Sequence, residues 1–351
     1  MKNPGSYLRK KVPKIYFFLT SLINVFIRIS RPYSIYITDS LGGSFKSYMR
    51  NSDMNIKICG LKNGLDSESV DTIDVILKRI MYYPDESNKK KISRRDEIAG
   101  GLLPAETDRV RKEIERTLKC CRRKYKSLSN HIEESVFYYY HGLSLLPAGI
   151  AEYIKDNDFI DLGAFIGDSA IALREFKYKK IFSVEMSLKS ILKYKTNLHR
   201  SNIYEDKFEI INACISSNDD EEPVRLPDTG SSGFSVMRRK GKYDEISVDR
   251  KSLDYLVEKY KISPRFIKVD IEGNSLEFVT GAKKTLARFR PVLSIAVYHN
   301  PCEFFEVKPL LEELLNDYVF MVRKLSGGIK NNLCHSEVVL LGYPKEIVDQ
   351  C

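Results

Sequence analysis

The chain has 351 residues, 43% hydrophobic and 30% charged, which excludes wholesale disorder, collagen-like repeats and low-complexity architecture and fits one large domain with an appendage. Its net charge of +10 is uneven: residues 1–150 hold 27 lysines and arginines against 16 acids, a net of +11, while the rest of the chain holds 30 against 31. The seven cysteines are scattered and form no CxxC pair, which suggests neither a disulfide framework nor a zinc cage and fits a reducing cytosol.

Residues 1–130 read as a basic, mainly helical region. Lys2, Arg9, Lys10, Lys11 and Lys14 precede an apolar stretch at 15–29, where Thr20, Asn24 and Arg28 form one polar stripe on a helix. The stretch falls short of the roughly 20 residues that span a bilayer, which excludes a polytopic membrane protein. It suits a helix docked onto the domain, or peripheral contact of residues 1–30 with an anionic membrane surface, and it loosely mimics a signal peptide without a convincing cleavage site. Val70, Ile73, Ile76, Leu77 and Ile80 then recur at helical spacing over 68–82, as do Val110, Ile114 and Leu118 over 107–126. A solvated link carrying Lys89, Lys90, Lys91, Arg94 and Arg95 is expected between them. The basic end of the second helix, Arg122 to Lys126, suits a helix C-terminus.

From about residue 131 to 351 short β-branched runs alternate with helical patterns. Strands are predicted at 159–162, 180–185, 208–215, 266–269, 292–298, 318–322 and 338–341. Helical patterns at 169–176, 187–198 and 276–289 separate the earlier strands. Such alternation requires a parallel sheet covered on both faces. Only residues 325–336 separate the last two strands, a hairpin, so the seventh runs antiparallel. The fold class is therefore α/β: a doubly wound, seven-stranded, mostly parallel sheet with a reversed last strand, plus the helical N-terminal region.

The segment Phe159-Ile160-Asp161-Leu162-Gly163-Ala164-Phe165-Ile166-Gly167-Asp168-Ser169 is the most informative. A buried strand ends in a carboxylate, turns through glycines and starts a helix capped by Asp168 or Ser169. Gly163 lets backbone approach a ligand, and the helix start offers unpaired N–H groups. Asp161 is expected to face the ligand, where a carboxylate repels phosphate and attracts an ammonium. Glu185, ending the next strand, can accept both ribose hydroxyls. A ligand with an ammonium and a ribose but no phosphate is S-adenosylmethionine.

These features resemble the Rossmann-like class I methyltransferases. More narrowly, 161–169, Val184-Glu185, Ser252-Leu253-Asp254 and Ile267-Lys268-Val269-Asp270-Ile271-Glu272-Gly273, followed by Leu276, Glu277, Gly281 and Ala282, are similar to the FkbM family over residues 131–345. The resemblance implies an S-adenosylmethionine-dependent O-methyltransferase whose acceptor is a hydroxyl on a sugar, glycolipid or secondary metabolite. The cofactor would be held by Asp161, Gly163, Ala164, Phe165, Gly167, Asp168, Ser169, Glu185 and Asp270.

A sulfonium methyl is already electrophilic, so the enzyme needs chiefly to position an oxygen and remove its proton. Metal is optional. Ligands of open α/β sheets lie beyond the carboxyl ends of the parallel strands, which collects Asp161, Glu185, Asp270, Glu272 and His299 at one rim, with His335 brought near by the last hairpin. His299, Glu272 and His335 are the candidate catalytic residues, His299 first as a near-neutral base. Tyr138 to Gly142 suit either a lid or helix packing, and residues 218–241 read as a mobile loop. Three rival readings exist. A nicotinamide oxidoreductase is disfavoured by Asp161 and by a loop that is not GxGxxG. A nucleic-acid methyltransferase lacks a recognition motif, so nucleic acid is not expected as a partner. A non-catalytic binding protein on the same fold is disfavoured by the intact cofactor residues.

Overall fold

The computed structural model describes residues 34–37, 40–82, 90–93, 99–128, 130–219, 222–228, 230, 245–327 and 336–347. The apolar stretch at 15–29, His335 and most of the 218–241 loop that sequence reading singles out lie outside these. No helix among the described residues is long and apolar enough to cross a membrane.

Besides a helix at Ser40–Tyr48, the helices α1 (Met54–Lys62), α2 (Ser67–Ile80) and α3 (Asp108–Lys124) precede the sheet. Asp66 caps α2 by accepting the Ser69 N–H at 2.8 Å. The predicted solvated link is partly strand, since Lys90–Ser93 pairs antiparallel with Ser34–Ile37. Charge patterning hid this because the strand, Lys90-Lys91-Ile92-Ser93, is half lysine and has one apolar residue.

The main sheet comprises β1 (Asp158–Leu162), β2 (Ile181–Val184), β3 (Phe208–Ile211), β4 (Pro264–Val269), β5 (Val292–Ala296), β6 (Tyr318–Lys324) and β7 (Val338–Pro344). Their spatial order is β6-β7-β5-β4-β1-β2-β3. The pairs from β5 to β3 are parallel, and β7 is antiparallel to both β5 and β6. The order reverses between β1 and β4, the switch point where open α/β sheets bind ligands.

Both faces are covered, which is why β1, β5 and β7 are buried along their whole length. Alternate residues feed opposite cores. Ile160, Leu162, Ile267, Val269, Leu293 and Ile295 meet Met54 and Leu61 of α1 and Ile73, Ile76 and Ile80 of α2. Phe159, Phe266, Val292, Val339 and Leu341 face the opposite core, which holds Ile114 and Leu118 of α3. The helices before residue 131 thus share both cores with the sheet.

The predicted third strand is shorter than expected. Residues 208–211 stay in the sheet, while Cys214–Ile215 leave it to pair parallel with Arg250–Lys251. Asn212 makes the break, its amide donating to the carbonyls of Glu185 and Met186 at 2.9 Å each. After β2 comes α4 (Leu188–Arg200), and after a two-stranded ribbon in which Val224–Pro227 pairs antiparallel with Glu245–Val248 come α5 (Leu253–Tyr260), α6 (Ser275–Gly281), α7 (Lys283–Phe289) and α8 (Pro301–Leu314). The Ser252-Leu253-Asp254 motif fastens this region. Ser252 caps α5, and the Asp254 carboxylate accepts the N–H groups of Lys284 and Thr285 at the start of α7. Glu277 likewise accepts the Ser217 N–H at 3.0 Å.

Candidate active site

The turn after β1 is set by sterics. Gly163 has φ +80°, and a Cβ there would overlap the carbonyl oxygen of Asp270. Glycine is therefore demanded by the close approach of the β1 and β4 ends, where the Asp270 N–H also donates to Leu162 O at 3.0 Å. Sequence reading assigned this freedom to a ligand; the nearer neighbour is the chain itself. The following helix, Asp168–Leu173, begins from Gly167 as its cap, with Asp168 as the first helical residue.

Two adjoining cavities open at this switch point. The larger, about 250 Å³, includes His141, Gly163, Phe165, Asp168, Ser169, Lys268 and Asp270 in its wall. The smaller, about 50 Å³, is bounded by Val184, Glu185, Met186, Ala213, Cys214 and Ile215. Gly163, Phe165, Asp270 and Glu272 border both, so one extended ligand can occupy the two chambers.

Glu185 faces the smaller chamber with its carboxylate already oriented. One oxygen accepts the Phe165 N–H and the other the Ser187 N–H, both at 2.8 Å. Burial raises its pKa and these two bonds oppose the rise. Each oxygen keeps a further lone pair for a ligand hydroxyl.

Asp161 lines neither chamber. It is fully buried, and Lys268 Nζ lies 3.0 Å from its Oδ1. The same ammonium donates to the Gly163 carbonyl at 2.8 Å and the Leu162 carbonyl at 3.3 Å. Burial raises the Asp161 carboxyl against the pull of Lys268. Burial alone would lower the Lys268 amine, but Asp161 and Asp270 outweigh it and raise that pKa. The ammonium-seeking carboxylate expected from the sequence is thus spent on an internal ion pair, and Lys268 is what reaches the cleft. Its signal in the sequence was a lysine inside the otherwise apolar run Phe266 to Val269, because a lysine buried in such a strand requires a partner.

His299 sits behind the carboxylates of the rim. Its Nε2 lies 3.2 Å from Asp270 Oδ1 and 3.8 Å from Glu272 Oε2, and its Nδ1 lies 3.6 Å from Glu303 Oε2. Burial would lower the imidazole, but Asp270, Glu303 and Glu272 together raise it well above the usual histidine range. Asp270 is in turn lowered to about 2: burial pushes it up, and His299 and Lys268 more than reverse that. A protonated His299 cannot accept a proton at neutral pH, so the near-neutral base expected there is not what this setting provides. It organises Asp270 and Glu272 instead. Glu272 itself has φ +53° and stands where the two chambers meet.

The larger chamber carries Glu133, Asp168, Asp270, Glu272 and Glu337, of which sequence reading found three. Glu133 stands just before a short helix, Glu134–Phe137, and Glu337 just before β7, where no local pattern marks them. Among the described residues no group of three or more histidines, cysteines or acids has the arrangement of a metal site.

Asp168 shows what this crowding costs. Burial, offset by Lys268 and reinforced by Asp161, raises its carboxyl to about 6. A carboxyl raised above its unfolded value of about 3.9 stabilises the fold only while protonated, so its contribution is full below that value and is lost as pH rises through 6. Asp168→Asn should therefore stabilise the ligand-free protein at pH 7.5 by up to about 3 kcal/mol. Chemical denaturation at pH 4.5 and 7.5 checks this: the gain should shrink at the lower pH, and an equal gain at both would contradict it.

No curated protein matches the chain. Among solved structures it is similar to the methyltransferase FkbM of Methylobacillus flagellatus, with 17% identity and a TM-score of 0.44 over 69% of this chain and 62% of that one. This chain thus spans under two thirds of that protein's length. It is also similar to an rRNA methylase from Streptococcus thermophilus, at 14% identity and a TM-score of 0.33 over 56% and 92%. A third likeness is the ribosomal protein L11 methylase of Lactobacillus delbrueckii subsp. bulgaricus, at 13% identity and 0.34 over 59% and 76%. Residues 161–326, which run from the buried aspartate of β1 to the end of β6, match the family described as the Methyltransferase FkbM domain. The chain therefore has a doubly wound α/β fold, and just under half of it, from β1 to β6, is similar to the FkbM methyltransferase domain.

Proposed function

We propose that this protein transfers the methyl group of S-adenosylmethionine to a hydroxyl oxygen of a neutral, carbohydrate-like acceptor. The observation that carries the reading is the division of charge along the cleft. A narrow recess presents the oriented carboxylate of Glu185, suited to a ribose diol, and opens into a chamber with five acidic side chains and Lys268, of which Asp270, lowered to about 2, is ionised while burial raises Glu133 to about 8. A dinucleotide would bring its pyrophosphate to this chamber, and a nucleic acid its backbone phosphates, against like charge at low dielectric. An ammonium and a sulfonium are attracted there. Bound S-adenosylmethionine supplies the electrophilic methyl. Gly163, Phe165, Asp168, Ser169, Glu185 and Asp270 are the residues that would hold it, with Glu272 between it and the acceptor.

Calorimetry with S-adenosylmethionine and NAD side by side tests the cofactor, with binding of the first alone expected and binding of NAD alone overturning the reading. Glu185→Ala should weaken S-adenosylhomocysteine binding by about 1 to 3 kcal/mol while the domain stays folded, because a charged acceptor is lost at the ribose. Wild-type affinity in that variant would remove Glu185 from the site. For the acceptor, methyl-labelled donor should mark methyl glycosides in preference to sugar phosphates or tRNA. Label found on nitrogen or carbon would reject O-methylation.

A further inference from the structure

We propose that His141 is the catalytic base, its Nε2 receiving the proton of the acceptor hydroxyl as that oxygen is methylated. This rests on the methyl-transfer reading above and names the group that completes it.

His141 borders the larger chamber beside Gly163, Lys268, Asp270 and Ser294. It is only 7% exposed, and its Nε2 is buried without a hydrogen-bond partner. A buried polar atom left unpaired costs about 1 to 3 kcal/mol, so one on a residue that borders a ligand cavity points to a partner that arrives with the ligand. The backbone carries a second, independent sign. Tyr140, His141 and Gly142 lie in succession at φ +49°, +55° and +91°. Non-glycine residues in this region cost about 1 to 3 kcal/mol each and persist where the surroundings over-determine them, often at functional sites. Here Ser294 Oγ donates to the His141 carbonyl at 2.6 Å, and the Gly142 N–H donates to Tyr139 O at 2.8 Å. Gly142 also packs against β7, where a Cβ would come within 2.6 Å of Leu341 Cδ2. The turn is thus locked with His141 in the cavity wall.

The other groups are less suited. His299 is held protonated, Asp270 is tied to it at 3.2 Å and Glu272 lies 3.8 Å from it, while burial raises Glu133 to about 8, so that it is largely protonated at neutral pH. The charged groups facing His141 are Lys268 and Asp270 from the β4 end, while β5 and β7 contribute Ser294 and Leu341. Burial, then Lys268, lowers the imidazole to about 3 against the opposing pull of Asp270, so it stays neutral throughout the working range. In the step, a lone pair of the acceptor oxygen forms the bond to the methyl carbon as the carbon–sulfur bond breaks, its electron pair remaining on sulfur. The O–H pair stays on oxygen and the proton passes to Nε2, then to solvent. A weakly basic imidazole suffices, because an oxygen bearing both the new methyl and its proton is a much stronger acid than imidazolium.

His141→Asn tests this, since asparagine tolerates the left-handed backbone better than alanine. S-Adenosylhomocysteine affinity should stay within about threefold, while transfer to a methyl glycoside falls about 100-fold or more. Added imidazole should restore part of the rate to His141→Gly, and the wild-type rate should have no acid limb near pH 6.5. Unchanged transfer in His141→Asn overturns the assignment and leaves methyl transfer standing. Loss of S-adenosylhomocysteine affinity with normal turnover of the bound enzyme overturns it too, making His141 a cofactor contact. Absence of S-adenosylmethionine binding to the wild type removes both readings. A readout independent of turnover is 15N NMR of the His141 ring in the S-adenosylhomocysteine complex. Nε2 should be unprotonated from pH 5 to 8 and should shift when methyl α-D-glucoside is added. A protonated ring, or one the sugar does not move, refutes the proposal.

Discussion

Replacing Lys268 by methionine is expected to destabilise the protein by about 3 to 5 kcal/mol, a loss typical of breaking a buried ion pair from one side. Methionine keeps the apolar stem, so the loss isolates the ammonium. That ammonium lies 3.0 Å from Asp161, which is fully buried, and also bonds the carbonyls of Leu162 and Gly163 at the turn. Without it, Asp161 must either remain charged in the core or take up a proton. Burial already raises the Asp161 carboxyl, and removing its cation raises it further. A carboxyl whose folded pKa exceeds its unfolded value penalises the fold increasingly as pH rises, so the variant should be relatively better at pH 5 than at pH 8. Denaturant titration at the two pH values measures this. The double variant Asp161→Asn, Lys268→Met should recover part of the loss, because neither partner is then left as an unpaired charge. Equal stability of Lys268→Met and the wild type at pH 8 would mean that the pair contributes nothing.

Gly163→Ala should be similarly severe, costing about 2 to 6 kcal/mol from left-handed strain and overpacking combined. The added methyl would overlap the Asp270 carbonyl, which is backbone at a strand end and cannot rotate away as a side chain would. The β1 and β4 ends would have to separate, breaking the Asp270 N–H bond to Leu162 O. Asp270, Phe165 and Glu272 would move with them, so cofactor affinity should fall together with the denaturation midpoint. A variant that keeps its stability but loses affinity would mean that Gly163 serves the ligand and not the fold.

The arrangement of the sheet was largely readable from the sequence. Buried β-branched runs alternating with helical spacing required parallel strands covered on both sides, and the short connection before Val338 required the reversed last strand. These are consequences of local periodicity and connection length, which one chain carries in full. The rim carboxylates Glu185, Asp270 and Glu272 were likewise legible, because strand ends at a topological switch point are fixed by strand order.

What the sequence could not decide was which side chains meet. Asp161 was in the right place, but its partner, Lys268, stands on the adjacent strand, and only the register Asp161↔Lys268 turns a prospective ligand contact into an internal ion pair. His299 has the residue type of a neutral base; the carboxylates of Asp270 and Glu272 after β4 and of Glu303 one helical turn on hold it charged. His141 read as part of an aromatic run until a locked left-handed turn brought it to the cavity wall. Periodicity and spacing are properties of neighbours along the chain, whereas protonation and reactivity depend on the charges and burial that neighbours in space impose.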